Sequence, residues 1–229
     1  MSQNLFKRIV TSIVLLLLFF LINFTGQHVF ILSILILGII ICIEANRLIL
    51  KLVLVHLSKK KALLKNFNFK FLILNILTFC YIFFIFCYYS FEIHKVEGPI
   101  FFFFIVSICF FSDIGGYVIG NLIGGKKLSK ISPNKTISGS IGSFIFSVMP
   151  LFLFSNFDNI NFEINLNHVL FSLIISLISQ LGDLFISFFK RKAKIKDMGT
   201  LLPGHGGVLD RVDGIIFAIP FSYILLKLI

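Results

Sequence analysis

The feature that most constrains this chain is a succession of apolar stretches, each about as long as a lipid bilayer is thick. A helix needs roughly 20 mostly apolar residues to cross the hydrocarbon core. Seven segments meet that requirement, approximately residues 7–25, 28–45, 70–90, 98–121, 140–156, 166–189 and 213–228. Backbone N–H and C=O groups in lipid must be satisfied within their own segment, so the expected fold is all-α. The expected architecture is a polytopic membrane protein of about seven transmembrane helices, forming a single integral membrane domain over residues 1–229. A hydrophobic content of 58% and a mean hydropathy of +1.02 place the chain well outside the soluble range.

The formal net charge of +11 would point to nucleic acid in a soluble protein. Here the cations fall between the apolar runs, where they act as topological anchors at an anionic leaflet. With the N-terminus cytosolic, alternate loops collect 19 of the 21 Lys and Arg residues and leave only Lys95 and Lys227 opposite. The chain has 31 Phe and no Trp, which makes its aromatics apolar filler rather than a base-stacking platform. No nucleic-acid partner is expected. Lys7 and Arg8 precede the first run, but no A-x-A-like cleavage site follows, so that run reads as a retained helix. Cys42, Cys80, Cys87 and Cys109 lie inside apolar runs without metal-ligand spacing and read as packing residues. The mixed segment from Asn46 to Lys70 reads as a slanted or interfacial amphipathic helix.

Charges within membrane helices are costly and usually mark a pathway or a site. Asp113 stands near one end of the fourth span, and Asp183 holds a similar position in the sixth. On a helical wheel Ser172, Ser176, Ser179, Ser187 and Lys190 fall within about 40° of Asp183, giving the sixth helix one polar stripe. Helix packing through small residues would explain the serines but not the aspartate or the lysine. Gly116, Tyr117, Gly120 and Gly124 cluster within about 60° of Asp113, a small-residue face suited to close approach of another backbone.

The loop from Gly124 to Gly139 carries Lys126, Lys127, Lys130, Ser132, Lys135 and Thr136, a set of ammonium and hydroxyl donors suited to phosphate. A basic loop is expected there on topological grounds as well. The loop after the sixth span is more specific. It runs through Ser187, Lys190-Arg191, Lys196-Asp197, Pro203-Gly204-His205-Gly206-Gly207 and Asp210-Arg211-Val212-Asp213. If helical, Asp210 and Asp213 share a face, a geometry for holding a divalent cation, with Asp183 the natural third carboxylate.

This run resembles the signature of the phosphatidate cytidylyltransferases, also called CDP-diglyceride synthases. The family pattern is a Ser, a Lys-Arg pair, a Lys-Asp pair, His-Gly-Gly and a final Asp-Arg-x-Asp, and each element occurs here at the family's spacing from Ser187 to Asp213. The resemblance extends upstream through Gly182-Asp183-Leu184, the run Ile131 to Thr136, and Asp113 to Tyr117 with Gly120 and Gly124. It thus marks 98–229 as a catalytic half, while helices within 1–97 match only in being hydrophobic. Two positions depart from the pattern: many members carry Glu where this chain has Ser138 and Ile186.

The resemblance implies transfer of CMP from CTP to phosphatidate, giving CDP-diacylglycerol and pyrophosphate at the cytosolic face of a bacterial-type inner membrane. It implies Asp183, Asp210, Asp213 and Lys190 as catalytic groups. Mg²⁺ would be held by Asp183 and Asp210, with Asp213 and Asp113 completing the shell. Arg191, Lys196, Asp197, His205, Gly206, Gly207, Arg211, Ser132, Lys135, Thr136 and Ser187 would contact substrate. It also implies a homodimer. A hard cation with oxygen ligands suits this residue set, which has no thiolate or imidazole cluster. Two alternatives have distinct signatures. A CTP-dependent lipid kinase would release CDP instead of pyrophosphate, and an ion-coupled transporter would use Asp113 and Asp183 without needing a nucleotide loop.

Overall fold

The computed structural model describes residues 3–59, 64–129, 132–133, 135–155, 165–199, 201–202 and 206–228. Among these the fold is helical, with two isolated β-bridges, Lys127 with Thr136 and Leu202 with Gly206. The chain divides into two compact units, Met1–Lys95 with Phe189–Val212, and Val96–Phe188 with Asp213–Ile229.

The first unit contains α1 (Gln3–Thr25), α2 (Gln27–Lys59), and a rod made of α3 (Leu64–Cys80), a π-helical stretch (Tyr81–Cys87) and α4 (Tyr88–Val96). Gly26, at φ 134°, allows the sharp α1–α2 junction. Inside the unit Phe30, Ile41, Ile82, Phe86 and Ile93 are buried. Gly38 brings α2 onto the π-helical stretch, since a methyl there would lie 2.9 Å from Cys87 Sγ. The expected interfacial helix over 46–70 does not stand as a separate element. No Gly or Pro interrupts the residues from Ala45 to Lys59, so α2 continues through them as one helix of 33 residues. At 1.5 Å per residue it is about 50 Å long, more than the hydrocarbon core requires.

The second unit contains α5 (Gly98–Ile123), α6 (Ile137–Ser147), α7 (Met149–Phe154), most of α8 (Leu166–Lys192) and α10 (Ile215–Leu226); α9 (Leu209–Val212) belongs to the first. Close approach of backbones holds α5 to α6. A methyl on Gly115 would meet the Gly142 carbonyl oxygen, and one on Gly139 would lie 2.7 Å from the Gly116 carbonyl oxygen. Gly116 and Gly120 therefore behave as the small-residue face requires. Tyr117 and Gly124 do not share in it: Tyr117 is 74% exposed, and Gly124 ends the helix at φ 63°.

Among the described residues five helices are long and apolar enough to cross a membrane: Gln27–Val55, Phe69–Val96, Gly98–Ile123, Ile137–Phe154 and Leu166–Lys192. By length and composition they mark an integral membrane protein. The expected count of seven included two shorter elements. Val10–Thr25 is a shorter apolar helix, and the expected span over 213–228 contains a helix of only 12 residues with Pro220 inside it. At about 1.5 Å per residue those 12 residues cover roughly 18 Å, short of the hydrocarbon thickness.

Candidate active site

The loop joining α5 to α6 folds as a small hairpin. The Leu128 N–H donates to the Lys135 carbonyl at 2.8 Å, and the Ile137 N–H donates to that of Lys126 at 3.0 Å. Thr136 ends the hairpin and starts α6, its backbone extended and its Oγ1 accepting from the Gly139 N–H at 3.0 Å. Thr136 is thus an N-cap as well as a sequence-predicted substrate contact. Thr136→Ala should cost about 1 kcal/mol of stability through loss of this cap, read as a lower Tm in detergent. Thr136→Ser, which keeps the hydroxyl, should retain wild-type Tm. Ser138, at a position where many members of the resembled family carry Glu, donates to the Gly124 carbonyl and bonds Thr136 Oγ1 at 3.0 Å. It ties the hairpin's two ends together. Ser132 is partly exposed, whereas Lys130, Ile131 and Asn134 lie outside the described residues.

This hairpin presents Lys135 to α8, where its ammonium forms an ion pair with Asp183. The Ser187 hydroxyl, one turn on, donates to Asp183 Oδ1 at 3.1 Å. The Asp213 carboxyl also interacts with that of Asp183. Two glycines permit this approach. A methyl on Gly182 would lie 3.1 Å from the Asp213 carbonyl oxygen, and one on Gly214 would lie 2.8 Å from that of Ser179. The second unit therefore brings Asp183, Asp213, Lys135 and Ser187 into one cluster. Asp113 is exposed on α5 of the same unit.

The predicted stripe on α8 divides by role. Ser172, Ser176 and Ser179 are buried, and Ser176 bonds Ser112 of α5 at 2.8 Å. Gln180 reaches both Ser176, at 3.3 Å, and Ser140 of α6, at 2.6 Å. That half of the stripe fastens helices together. Asp183 and Ser187, hydrogen-bonded to each other, belong to its other half.

The first unit holds a second cluster. At the end of α8 the Ile195 N–H reaches back to the Lys190 carbonyl, and the Lys194 N–H to that of Arg191, with Lys194 at φ 56°. This Schellman turn stops the helix and reverses the chain. Lys190 Nζ then meets Asp210 Oδ1 at 2.9 Å, with side-chain exposures of only 11% and 6%. The other oxygen of Asp210 accepts from the Met198 N–H at 2.8 Å and the Gly207 N–H at 3.0 Å. Asp210 thereby draws three parts of its loop to one point. Between them Leu202 and Gly206 exchange both backbone hydrogen bonds, and Gly206, at φ 87°, takes a conformation suited to glycine.

Arg191, Lys196, Asp197 and Arg211 are exposed around this loop, while Gly207 is buried. Gly204 and His205 lie outside the described residues. Asp210 belongs to the first unit, and Asp183, Asp213 and Asp113 belong to the second. Among the described residues no group of three or more His, Cys, Asp and Glu side chains gathers to hold a metal. The Asp183–Asp213 pair nonetheless has the chemistry for a hard cation. Two adjacent carboxylates need positive charge beside them, and Lys135 already supplies part of it.

One residue of this neighbourhood escapes the sequence reading. Glu44, in α2, is 2% exposed, and its carboxylate accepts from the Val208 N–H at 3.0 Å and the Leu209 N–H at 2.7 Å. The available signal was an acidic residue inside an apolar run, the same signal that singled out Asp113 and Asp183.

Comparison with known proteins gives the family. The chain is 41% identical to a phosphatidate cytidylyltransferase of Staphylococcus epidermidis over 133 residues, covering 58% of this chain and 51% of that protein. It is 45% identical to the protein of that name from Staphylococcus haemolyticus over 120 residues, covering 52% and 46%. With that of Bacillus subtilis the identity is 36% over 144 residues, covering 62% and 53%. The chain spans about half the length of the curated relatives it matches. A model of the cytidylyltransferase family matches residues 45–229, which include Asp183, Asp210, Asp213 and the α5–α6 hairpin, and the chain belongs to that family.

Proposed function

We propose that this chain catalyses the reaction named for its relatives, transfer of CMP from CTP to phosphatidate. A phosphate oxygen of phosphatidate forms a new bond to the α-phosphorus of CTP. The bond from that phosphorus to the bridging oxygen breaks, and pyrophosphate leaves with the electron pair. The protein's task in such a step is chiefly positioning and charge stabilisation.

The observation that carries this reading is the cluster of Asp183, Asp213, Lys135 and Ser187. The proposed Mg²⁺ ligands are the same four carboxylates, Asp183 and Asp210 with Asp213 and Asp113 completing the shell; Asp213 adjoins Asp183 within the second unit. Bound there, Mg²⁺ would supply positive charge to the phosphate oxygens. Lys135 neutralises phosphate beside that pair, with Ser132 and Ser187 as hydroxyl donors. Lys190 and Asp210 hold the loop on which Lys196, Asp197, Gly206, Gly207 and Arg211 receive the triphosphate, with Arg191 and His205 as further substrate contacts. Thr136 keeps the hairpin in register, and its hydroxyl is already engaged as a cap.

The basic loops face the cytosol in this reading, so that CTP arrives from water. The phosphatidate tails stay in the bilayer and need never leave it. The expected cellular site is the inner membrane of a bacterium, with the homodimer of the resembled family as the expected assembly.

Purified protein given labelled CTP, phosphatidate and Mg²⁺ should release pyrophosphate and CDP-diacylglycerol in equal amounts. Release of CDP with a newly phosphorylated lipid would replace this reading with a lipid kinase. Ion flux without nucleotide dependence would replace it with a transporter.

A further inference from the structure

Glu44 lies in α2, one position before the segment matched by the family model. It is nevertheless bonded to the loop that the proposed reaction needs most. A carboxylate buried within a membrane protein is expensive unless its lone pairs are satisfied. Glu44 meets that cost with two consecutive backbone N–H groups, those of Val208 and Leu209, at the entry to α9. The fit around it is tight. A methyl on Gly207 would lie 2.6 Å from Glu44 Oε2, and one on Gly199 would lie 2.8 Å from Oε1. Gly199 and Gly207 therefore provide room for this carboxylate, in addition to freedom of the backbone.

Two carboxylates thus hold the loop from opposite sides in sequence. Asp210, inside it, gathers the N–H groups of Met198 and Gly207, while Glu44, from a distant helix, takes those of Val208 and Leu209. Consecutive N–H groups from Gly207 to Leu209 all end on carboxylate oxygen. The exposed side chains of Lys196, Asp197 and Arg211 are carried by the backbone held in this way. Hydrogen bonds to a charged acceptor are the stronger kind, so loss of one loosens the loop more than loss of a neutral bond would.

We propose that Glu44 is a positioning residue for the nucleotide, fixing the loop's backbone from Gly207 to Leu209 without touching substrate. The inference rests on the function proposed above, in which that loop receives the triphosphate of CTP. It predicts a defect specific to one substrate. A misplaced phosphate-binding loop weakens CTP binding, while phosphatidate, which enters from the bilayer, is unaffected.

The test uses the full chain reconstituted in phospholipid vesicles. Glu44→Gln keeps the shape but turns an acceptor into a donor that faces an N–H. It should raise KM for CTP about tenfold or more and leave KM for phosphatidate within about twofold. Gly207→Ala should likewise raise KM for CTP. Combining it with Glu44→Asp, which withdraws the carboxylate by one methylene, should restore much of that loss. Wild-type KM for CTP in Glu44→Gln would overturn the proposal. So would a Gly207→Ala defect of equal size whether or not Glu44→Asp is present, or a defect confined to Tm.

Trypsin cleavage after Lys196 and Arg211 reads the loop's order without any turnover, and it should be several-fold faster in Glu44→Gln than in the wild-type chain. A wild-type chain that forms no CDP-diacylglycerol would remove the assigned reaction but not the proposed hold on the loop. Unchanged cleavage would remove that hold even in an active enzyme.

Discussion

Asp183→Asn should lower CDP-diacylglycerol formation at least about 100-fold, the scale on which removal of one electrostatic contact to a phosphoryl or acyl transition state is felt. Asparagine has the same outline and can still accept the Ser187 hydrogen bond, seen at 3.1 Å in the native chain. What it lacks is the negative charge. Lys135 then faces a neutral amide, and the pair formed with Asp213 loses half its charge for a divalent cation. Because the Asp183 side chain is 25% exposed, the substitution should leave membrane insertion and Tm near wild type. The measurement is a rate of product formation at saturating CTP and Mg²⁺, set beside protein recovered in the membrane. Turnover near the wild-type rate would remove Asp183 from the metal assignment and would leave the cluster without its central member.

Asp210→Asn should act differently, through the fold of the loop as much as through chemistry. The native carboxylate serves Lys190 with one oxygen and two backbone N–H groups with the other. An amide has a single acceptor oxygen, so it can serve one side only, and its NH₂ then confronts a donor. The Lys190 ammonium, 11% exposed, is left buried and uncompensated, which costs about 3–5 kcal/mol in comparable broken pairs. A large fall in Tm is therefore expected together with loss of activity. Adding Lys190→Met removes the orphaned charge, and most of the Tm should return. Activity should not, because the Asp210 carboxylate and the Lys190 ammonium, both assigned to the reaction, are gone. A single variant with wild-type Tm would show that the ion pair does not hold this loop.

Contrasting these two aspartates with their sequence reading shows which kinds of information a linear chain carries. Spacing alone placed Asp183 and Ser187 on one helix face, because 3.6 residues per turn makes an i, i+4 pair meet. Their hydrogen bond follows from that geometry. Spacing could not distinguish Asp210 from Asp213, which are only three apart. Asp213 sits where α9 gives way to α10 and turns to Asp183, while Asp210 turns to Lys190 and its own loop. Asp213 lies in a break of two residues between α9 and α10, and no propensity scale resolves a break of that size.

The helices themselves were mostly legible, since twenty apolar residues in lipid have few alternatives to a helix. Errors arose at ends. α2 continues to Lys59 because nothing in its sequence stops it, and α10 is short because it starts only after the turn at Asp213–Gly214. Small-residue spacing found Gly116 and Gly120 but added Tyr117, since an angular window around Asp113 does not know where the neighbouring helix lies.

By itself the sequence determined the solvent of this protein, its helical class, and the loop motif that identifies its family. Each of these depends on residues near one another in the chain, where hydrophobic length, helical period and motif spacing are read directly. Only the tertiary structure decided that Glu44 takes the N–H groups of Val208 and Leu209, more than 160 residues away, and that Lys135, in the hairpin between the glycine-packed α5 and α6, faces Asp183 of α8. Such pairings are set by which backbones can approach closely enough for a buried charge to find its donors, and that condition exists only once the chain has packed.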